Sequence, residues 1–165
     1  MMQNSVVKNY VWVFLTILLT LLDIGSKYWI KNNFFIGESK SICSGINFYY
    51  IQNSGLAFGL FANIAHVIYF KLIFIWLSIF TLIILIIVFY KSIVCHCFYD
   101  SLSYSMIIGG GLGNLYNRIF CDAVIDFIDI YVSYWHWPVF NIADVEICSG
   151  IIILSIRYFL VSQDK

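Results

Sequence analysis

Four apolar stretches constrain the fold of this chain more than any other feature of its sequence. Each has about 20 residues or more, the length that an α-helix needs to cross the hydrocarbon core of a bilayer. They lie near 10–30, 65–90, 99–118 and 139–161. Of the 165 residues, 62% are hydrophobic and only 11% are charged, against roughly 25% charged in an average soluble domain. The sequence therefore predicts an all-α membrane protein, one domain of four transmembrane helices over 1–165, and excludes an ordinary soluble domain.

The distribution of basic residues predicts the orientation in the membrane. Four spans put both termini on one side, and the basic residues favour the cytoplasm for that side by four to three. The four are Lys8, Lys91, Arg157 and Lys165, and the three on the other side are Lys31, Lys40 and Arg118. No small-residue cleavage site follows the first apolar stretch, so we interpret it as a retained helix that also directs insertion.

The segments between the apolar stretches differ in character. INFYYIQ at 46–52 is rich in aromatic and branched residues between two turn signals, which predicts a small β-sheet outside the bilayer between helices 1 and 2. The segment 119–138 joins the third and fourth stretches. Its WHWP end is typical of the aromatic belt at a membrane interface.

Charge and cysteine usage exclude several classes of partner. Nine basic and nine acidic residues balance, so nothing indicates a nucleic-acid partner. The five cysteines are scattered and show no disulfide pattern. Cys95 and Cys97 flank His96, but a structural zinc site needs four ligands, so we predict no metal site there.

Two aspartates stand in apolar surroundings close to the same predicted membrane face. Asp126 lies in AVIDFIDI after the third stretch, and Asp144 lies in FNIADVEI at the start of the fourth. Two carboxyls at close range share one proton, because ionising both is costly. Such a pair can take a proton from water and give one to a leaving amine, as in aspartic proteolysis. The alternative is that each aspartate only caps a helix or binds a loop, and the residues alone leave both open.

The third stretch carries a polar face. Gly110, Asn114 and Arg118 are spaced i, i+4 and i+8, so they share one side of a helix. This face could orient a substrate backbone or steady a carboxylate. The alternative is close helix packing at the glycines, with Arg118 reaching the lipid headgroups.

Other charged residues have structural interpretations. Asp23 and Lys27 are spaced i, i+4, which predicts an intrahelical ion pair. Asn141 and Asp144 share a face of the fourth helix. Glu146 is two residues beyond Asp144 and points about 200° away on a helix, so it should not join the aspartate pair.

Five segments, in order along the chain, resemble motifs of the lipoprotein signal peptidase (signal peptidase II) family. They are DIGSK at 23–27, NSGLAF at 53–58, GGGLGNLYNR at 109–118, VIDF at 124–127 and FNIAD at 140–144. The resemblance implies four helices with a small extracytoplasmic β-cradle and no cofactor. It implies an aspartic endopeptidase of the bacterial inner membrane that cuts prolipoproteins just before the diacylglyceryl-modified cysteine.

The resemblance also implies roles for residues at matching positions. Asp126 and Asp144 correspond to the catalytic pair, near the extracytoplasmic face. The residues expected around substrate and pair are Asn53, Gly110, Asn114, Arg118 and Asn141. Asn117 stands where the family usually has aspartate, which leaves any pairing with Arg118 open. No metal is expected, and the partners are the bilayer and the prolipoprotein, bound by a monomer.

Two other classes of function remain as alternatives. One is a proton-coupled carrier that uses Asp126 or Asp144 as its relay, which is disfavoured because the chain has only four spans and no inverted repeat. The other is a non-catalytic membrane scaffold, in which replacing either aspartate by alanine leaves function intact.

Overall fold

The structure, a computed structural model, describes residues 2–55 and 68–163, with side chains described over 10–55 and 69–162. Its helices are α1 (Met2–Asn33), α2 (Ile68–Val94), α3 (Phe98–Phe120) and α4 (Ile142–Gln163). Its strands are β1 (Ser39–Cys43), β2 (Ile46–Asn53), β3 (Val124–Val132) and β4 (Trp135–His136). Residues 56–58 of the NSGLAF segment and 65–67 of the second predicted span lie outside the described residues.

The described residues form four helices, as the sequence predicts, but these helices are not equally apolar. Within the described part of the chain, three helical segments are long and apolar enough to cross a membrane: Tyr10–Asn33, Tyr69–Val94 and Ile142–Ser162. α3 is not among them, because serines, glycines, Asp100 and Arg118 interrupt its apolar residues. It packs against all three other helices, and most of its small and polar residues are buried. α3 is therefore the central helix of the bundle, and its polar groups meet protein.

Glycine allows α3 to approach α4 closely. A Cβ atom on Gly110 would collide with the carbonyl oxygen of Ala143 and lie 3.0 Å from Cγ1 of Ile147. Small residues at such a crossing are typical of helix contacts in membranes, where van der Waals packing replaces the hydrophobic driving force. The packing alternative for Gly110 is the one that the structure supports.

The sheet is antiparallel throughout, in the order β1-β2-β3-β4. The sequence placed it between helices 1 and 2, and the structure corrects this: two strands lie there, and the other two come from the segment between α3 and α4. That segment forms a strand because VIDFIDIYV at 124–132 is rich in branched and aromatic residues. β2 alone could not form a stable sheet, and β3 supplies its longer partner.

The sheet is fixed to one end of the helix bundle. A buried cluster joins Ile30 and Phe34, at the end of α1, to Tyr50 of β2 and to Ile125 and Phe127 of β3. These apolar contacts place β3 against the end of the bundle.

Backbone hydrogen bonds then fix the start of α4 beside β3. The N–H of Phe140 donates to the carbonyl of Ile128 at 3.1 Å, and the N–H of Ile128 donates back to Phe140 at 2.8 Å. Asn141 and the first turn of α4 consequently lie next to Asp126.

Candidate active site

Asp126 is held by two asparagine side chains. It lies on β3 and is only 3% exposed. Its Oδ1 accepts a hydrogen bond of 2.6 Å from Nδ2 of Asn141, and its Oδ2 accepts one of 2.9 Å from Nδ2 of Asn53. Asn53 ends β2, which pairs with β3, and Asn141 precedes α4. Three elements therefore orient this carboxyl.

Asp144 lies in the first turn of α4 and is half-buried. Its Oδ2 accepts the backbone N–H of Asn141 at 3.1 Å, and its own N–H donates to Oδ1 of Asn141 at 3.1 Å. This reciprocal pair is a capping arrangement, so the capping alternative holds for Asp144. The cap occupies Oδ2, while Oδ1 accepts a third hydrogen bond of 3.2 Å from Nδ2 of Asn114. Capping fixes this carboxyl without withdrawing it from the site.

Asn141 joins the two carboxyls, because its side-chain amide contacts Asp126 while its backbone N–H and Oδ1 contact Asp144. Burial raises the pKa of Asp126 to about 6. Hydrogen bonds from Asn53 and Asn141 oppose this rise in pKa, and the charge of Asp144 adds to it. Asp126 is therefore a carboxyl whose neutral form is favoured by its surroundings, next to a second carboxyl.

The predicted ion pair of Asp23 and Lys27 is confirmed, and it does more than link two turns of α1. Both side chains are fully buried, with Nζ of Lys27 2.7 Å from Oδ2 of Asp23. Lys27 also donates to Oδ1 of Asn114 at 2.7 Å, and the N–H of Ala143 donates to Oδ1 of Asp23 at 2.9 Å. The pair thus connects α1 with α3 and α4, and through Asn114 it reaches Asp144.

Arg118 and Asn117, adjacent at the end of α3, face different neighbours. Arg118 is half-buried and interacts electrostatically with Asp144 and Asp126. The described residues include no hydrogen-bond or ion-pair partner for it. Asn117 accepts a hydrogen bond of 3.3 Å from the N–H of Ile125. Asn117 therefore binds β3 and does not hold Arg118.

The carboxyls lie at the polar end of a cavity of about 620 Å³ between α2, α3 and α4. Its polar lining includes Asn53, Asn114, Arg118, Asp126 and Asp144. The rest is mainly apolar and includes Leu77, Leu82, Leu85, Ile107, Ile147, Ile151 and Leu154. Such a cavity can hold hydrocarbon beside a pair of carboxyls.

Most of the site residues expected from the sequence lie together, and two neighbouring glycines of α3 face different surroundings. Gly111 lines the cavity, whereas Gly110 faces the backbone of α4. Gly110 packs against Ala143 and is not among the described residues that line the cavity, so its expected place around substrate and pair stays a prediction. Asn141 is fully buried behind the two carboxyls and holds them.

Two further buried acids, Asp129 and Glu146, lie outside the aspartate pair. Asp129 accepts a hydrogen bond of 2.9 Å from Nδ2 of Asn47 and lies 2.8 Å from Nδ1 of His136. In the sequence, Asp129 is the second aspartate of the apolar segment VIDFID at 124–129, and this position is the one feature that could have identified it. Glu146 is 4% exposed and points toward Asp23 and Lys27, and its oxygens have no hydrogen-bond partner among the described residues. Glu146 thus lies away from the cavity and faces α1.

The residues described by the structure contain no group of three or more His, Cys, Asp or Glu side chains placed to hold a metal ion. All five cysteines are free thiols.

Comparison with known proteins gives one consistent result. The family model described as signal peptidase (SPase) II matches residues 15–160. The lipoprotein signal peptidase of Blochmanniella pennsylvanica is 51% identical over 152 residues, 92% of this chain and 90% of that protein. The lipoprotein signal peptidase of Wigglesworthia glossinidia brevipalpis is 46% identical over 134 residues, 81% of this chain and 84% of that protein.

Two solved structures of bacterial membrane enzymes share the fold. One has a TM-score of 0.77 at 23% identity and covers 94% of this chain and 91% of its own. The other has a TM-score of 0.74 at 25% identity, with 90% and 92% covered.

Proposed function

The chain belongs to the signal peptidase II family, and on that basis we propose that it removes signal peptides from prolipoproteins by aspartic proteolysis. It is a protease of a bacterial membrane. Its cut falls just before the diacylglyceryl-modified cysteine. One observation carries the aspartic mechanism: Asp126 and Asp144, bound to the same asparagine, lie at the polar end of an apolar cavity.

The pair performs the two proton transfers of peptide hydrolysis. With one proton between them, the ionised carboxyl takes a proton from water, and the water oxygen attacks the scissile carbonyl. The protonated carboxyl gives its proton to the leaving amine nitrogen. The burial of Asp126 supports a shared proton in this pair, because a site with little water favours the neutral form of a carboxyl. Substrate in the cavity removes more water and favours that form further.

The rest of the cavity positions the substrate. Its apolar walls accommodate hydrocarbon of the diacylglyceryl group and of the signal peptide, which are otherwise dissolved in lipid. Arg118 supplies the cationic group at the polar end, within electrostatic reach of both carboxyls, and it donates to carbonyl oxygens of the substrate. Asn53 donates a hydrogen bond to Asp126, and Asn114 donates one to Asp144.

The fold and the charge distribution support the proposed orientation in the membrane. The sheet and the carboxyls lie at the end of the bundle where α1 ends and α4 begins. With cytoplasmic termini, this end is at the extracytoplasmic face of the inner membrane, where lipidated precursors emerge. α3, which packs against the other three helices, also crosses the membrane, so the single domain has four spans. The enzyme acts as a monomer without a metal or cofactor.

The test is processing of a diacylated prolipoprotein by the purified chain in liposomes, read as a gel shift. Asp126→Asn and Asp144→Asn should each abolish cleavage while the protein still inserts and folds. Asp122→Asn is the matched control, because Asp122 is an exposed acid, four residues from Asp126, that pairs with Lys71. Its variant should cleave like the wild type.

Turnover by either aspartate variant would overturn the aspartic mechanism. A carrier or a scaffold predicts no cleavage even by the wild-type chain, so the wild-type reaction separates the proposed function from both alternatives.

A further inference from the structure

We propose that Asn117 is a positioning residue for Asp126, a role that rests on the proposed function of the aspartate pair. Asn117 lies in the last turn of α3 and is 2% exposed. Its Oδ1 accepts a hydrogen bond of 3.3 Å from the N–H of Ile125, the residue directly before Asp126. α3 thereby holds the backbone of β3 directly beside the carboxyl of Asp126.

Among the described residues, no strand pairs with residues 124–126 on the edge of β3 that faces away from β2, and the hydrogen bond from Ile125 lies there. β2 pairs with β3 along one edge. On the opposite edge, β4 pairs with Tyr131 and Val132, and Phe140 pairs with Ile128. Nearer the start of β3, Asn117 supplies the acceptor for Ile125. Ile125 is 1% exposed, so water cannot replace that acceptor.

Three asparagines therefore act on Asp126 in different ways. Asn53 and Asn141 bind its two carboxyl oxygens and set the rotation of the side chain. Asn117 binds the backbone one residue earlier and sets the position of the strand over α3. Catalytic groups have to be held within a fraction of an ångström, and a group that is 1 Å out of place can cost about 100-fold in rate.

Only the oxygen of Asn117 is needed for this role. Among the described residues, the one hydrogen-bond acceptor within reach of its Nδ2 is the sulfur of Cys121, at 3.8 Å, which is a weak acceptor. Any residue of similar shape with an oxygen at that place should keep β3 in position. An apolar residue of the same size should leave the N–H of Ile125 without its acceptor.

The experiment measures kcat and KM for cleavage of a diacylated prolipoprotein by the full chain in liposomes, corrected for the folded fraction. Asn117→Leu keeps the size and removes the acceptor, and it should lower kcat at least tenfold with KM within twofold of wild type. Asn117→Asp keeps the acceptor and should retain at least one third of the wild-type kcat. Asn33→Leu, at the exposed end of α1, is the matched control and should cleave like the wild type.

A wild-type kcat in folded Asn117→Leu would overturn the proposal, since a purely structural role lowers only the folded fraction. If Asn117→Leu does not fold, Asn117→Asp decides: a folded aspartate variant with less than a tenth of the wild-type kcat also overturns it. Absence of cleavage by the wild-type chain would instead refute the proposed function.

Discussion

Replacing Gly110 by alanine tests whether the close approach of α3 and α4 holds the site together. The added methyl group would collide with the carbonyl oxygen of Ala143 and lie 3.0 Å from Ile147. A backbone atom cannot rotate away, so the helices would have to separate by roughly 1 Å, and overpacking of this kind costs about 1–3 kcal/mol. Ala143 directly precedes Asp144, so the separation moves Asp144 away from Asn114.

The expected result is a loss of both activity and stability. A displacement near 1 Å at a reacting group costs up to about 100-fold, so Gly110→Ala should lower kcat for prolipoprotein cleavage by about 10- to 100-fold. The melting temperature in detergent should fall as well. Both are measured on the same preparation, by gel-shift cleavage in liposomes and by thermal unfolding.

Two other glycines provide graded controls. Among the described residues, an added methyl group on Gly111 would contact the flexible end of Leu82, at 3.0 Å. The loss of stability in Gly111→Ala should therefore be small. No atom of the described residues lies within 4 Å of a methyl group added at Gly25 of α1, so alanine there should stabilise the helix by about 0.5–1 kcal/mol. Wild-type cleavage by Gly110→Ala, or equal losses in all three variants, would refute the packing argument.

Three further predictions concern the buried charges. The pKa of Asp126 is raised to about 6, so the folded state binds the proton of this carboxyl more tightly than the unfolded chain does. The protonated carboxyl therefore contributes to the free energy of unfolding below about pH 4, and this contribution is lost as pH rises through 6. Between pH 4 and pH 7, the stability of Asp126→Asn relative to the wild type should therefore increase by up to roughly 3 kcal/mol in free energy of unfolding. A difference in melting temperature between the two proteins that does not change with pH would contradict this. Lys27→Met strands the buried charge of Asp23 and should cost about 3–5 kcal/mol in unfolding free energy, whereas Lys40→Met, in an exposed pair, should change it little; equal losses would be the contrary result. Glu146→Leu removes a buried carboxyl without a hydrogen-bond partner and should raise stability by about 1–3 kcal/mol, and a lower melting temperature would count against it.

Much of the helical frame could be predicted because spanning helices carry a strong local signal. Twenty apolar residues in sequence have few other structures available, so α1, α2 and α4 follow from hydropathy alone. α3 carries serines and glycines and lacks a segment as apolar as the spanning segments of the other three helices, so only its length of about 20 residues predicts that it is a helix. The sheet is harder to predict from the sequence, because the segment that forms β3 has the features of a connection between two helices. Its strand character depends on pairing with β2, more than 70 residues earlier, and short apolar runs do not reveal their partners.

The site could be predicted only as a set of residues, because its geometry depends on contacts between distant segments. Asp126 and Asp144 are 18 positions apart, and both stand out as acids in apolar surroundings. Asn141 binds both carboxyls, and no spacing rule reveals this, since it requires Phe140 to pair with β3.

Asp23 and Lys27 illustrate the same limit. Their spacing predicts an ion pair on one helix face, and that pair exists. The sequence does not show that Asn114 and Ala143 complete its hydrogen bonds. A buried pair is costly unless further polar groups satisfy it, so α3 and α4 have to meet α1 at this point. The ion pair, which the sequence predicts as a contact within α1, therefore also helps to position Asp144. It connects the stability of the bundle to the geometry of the proposed reaction.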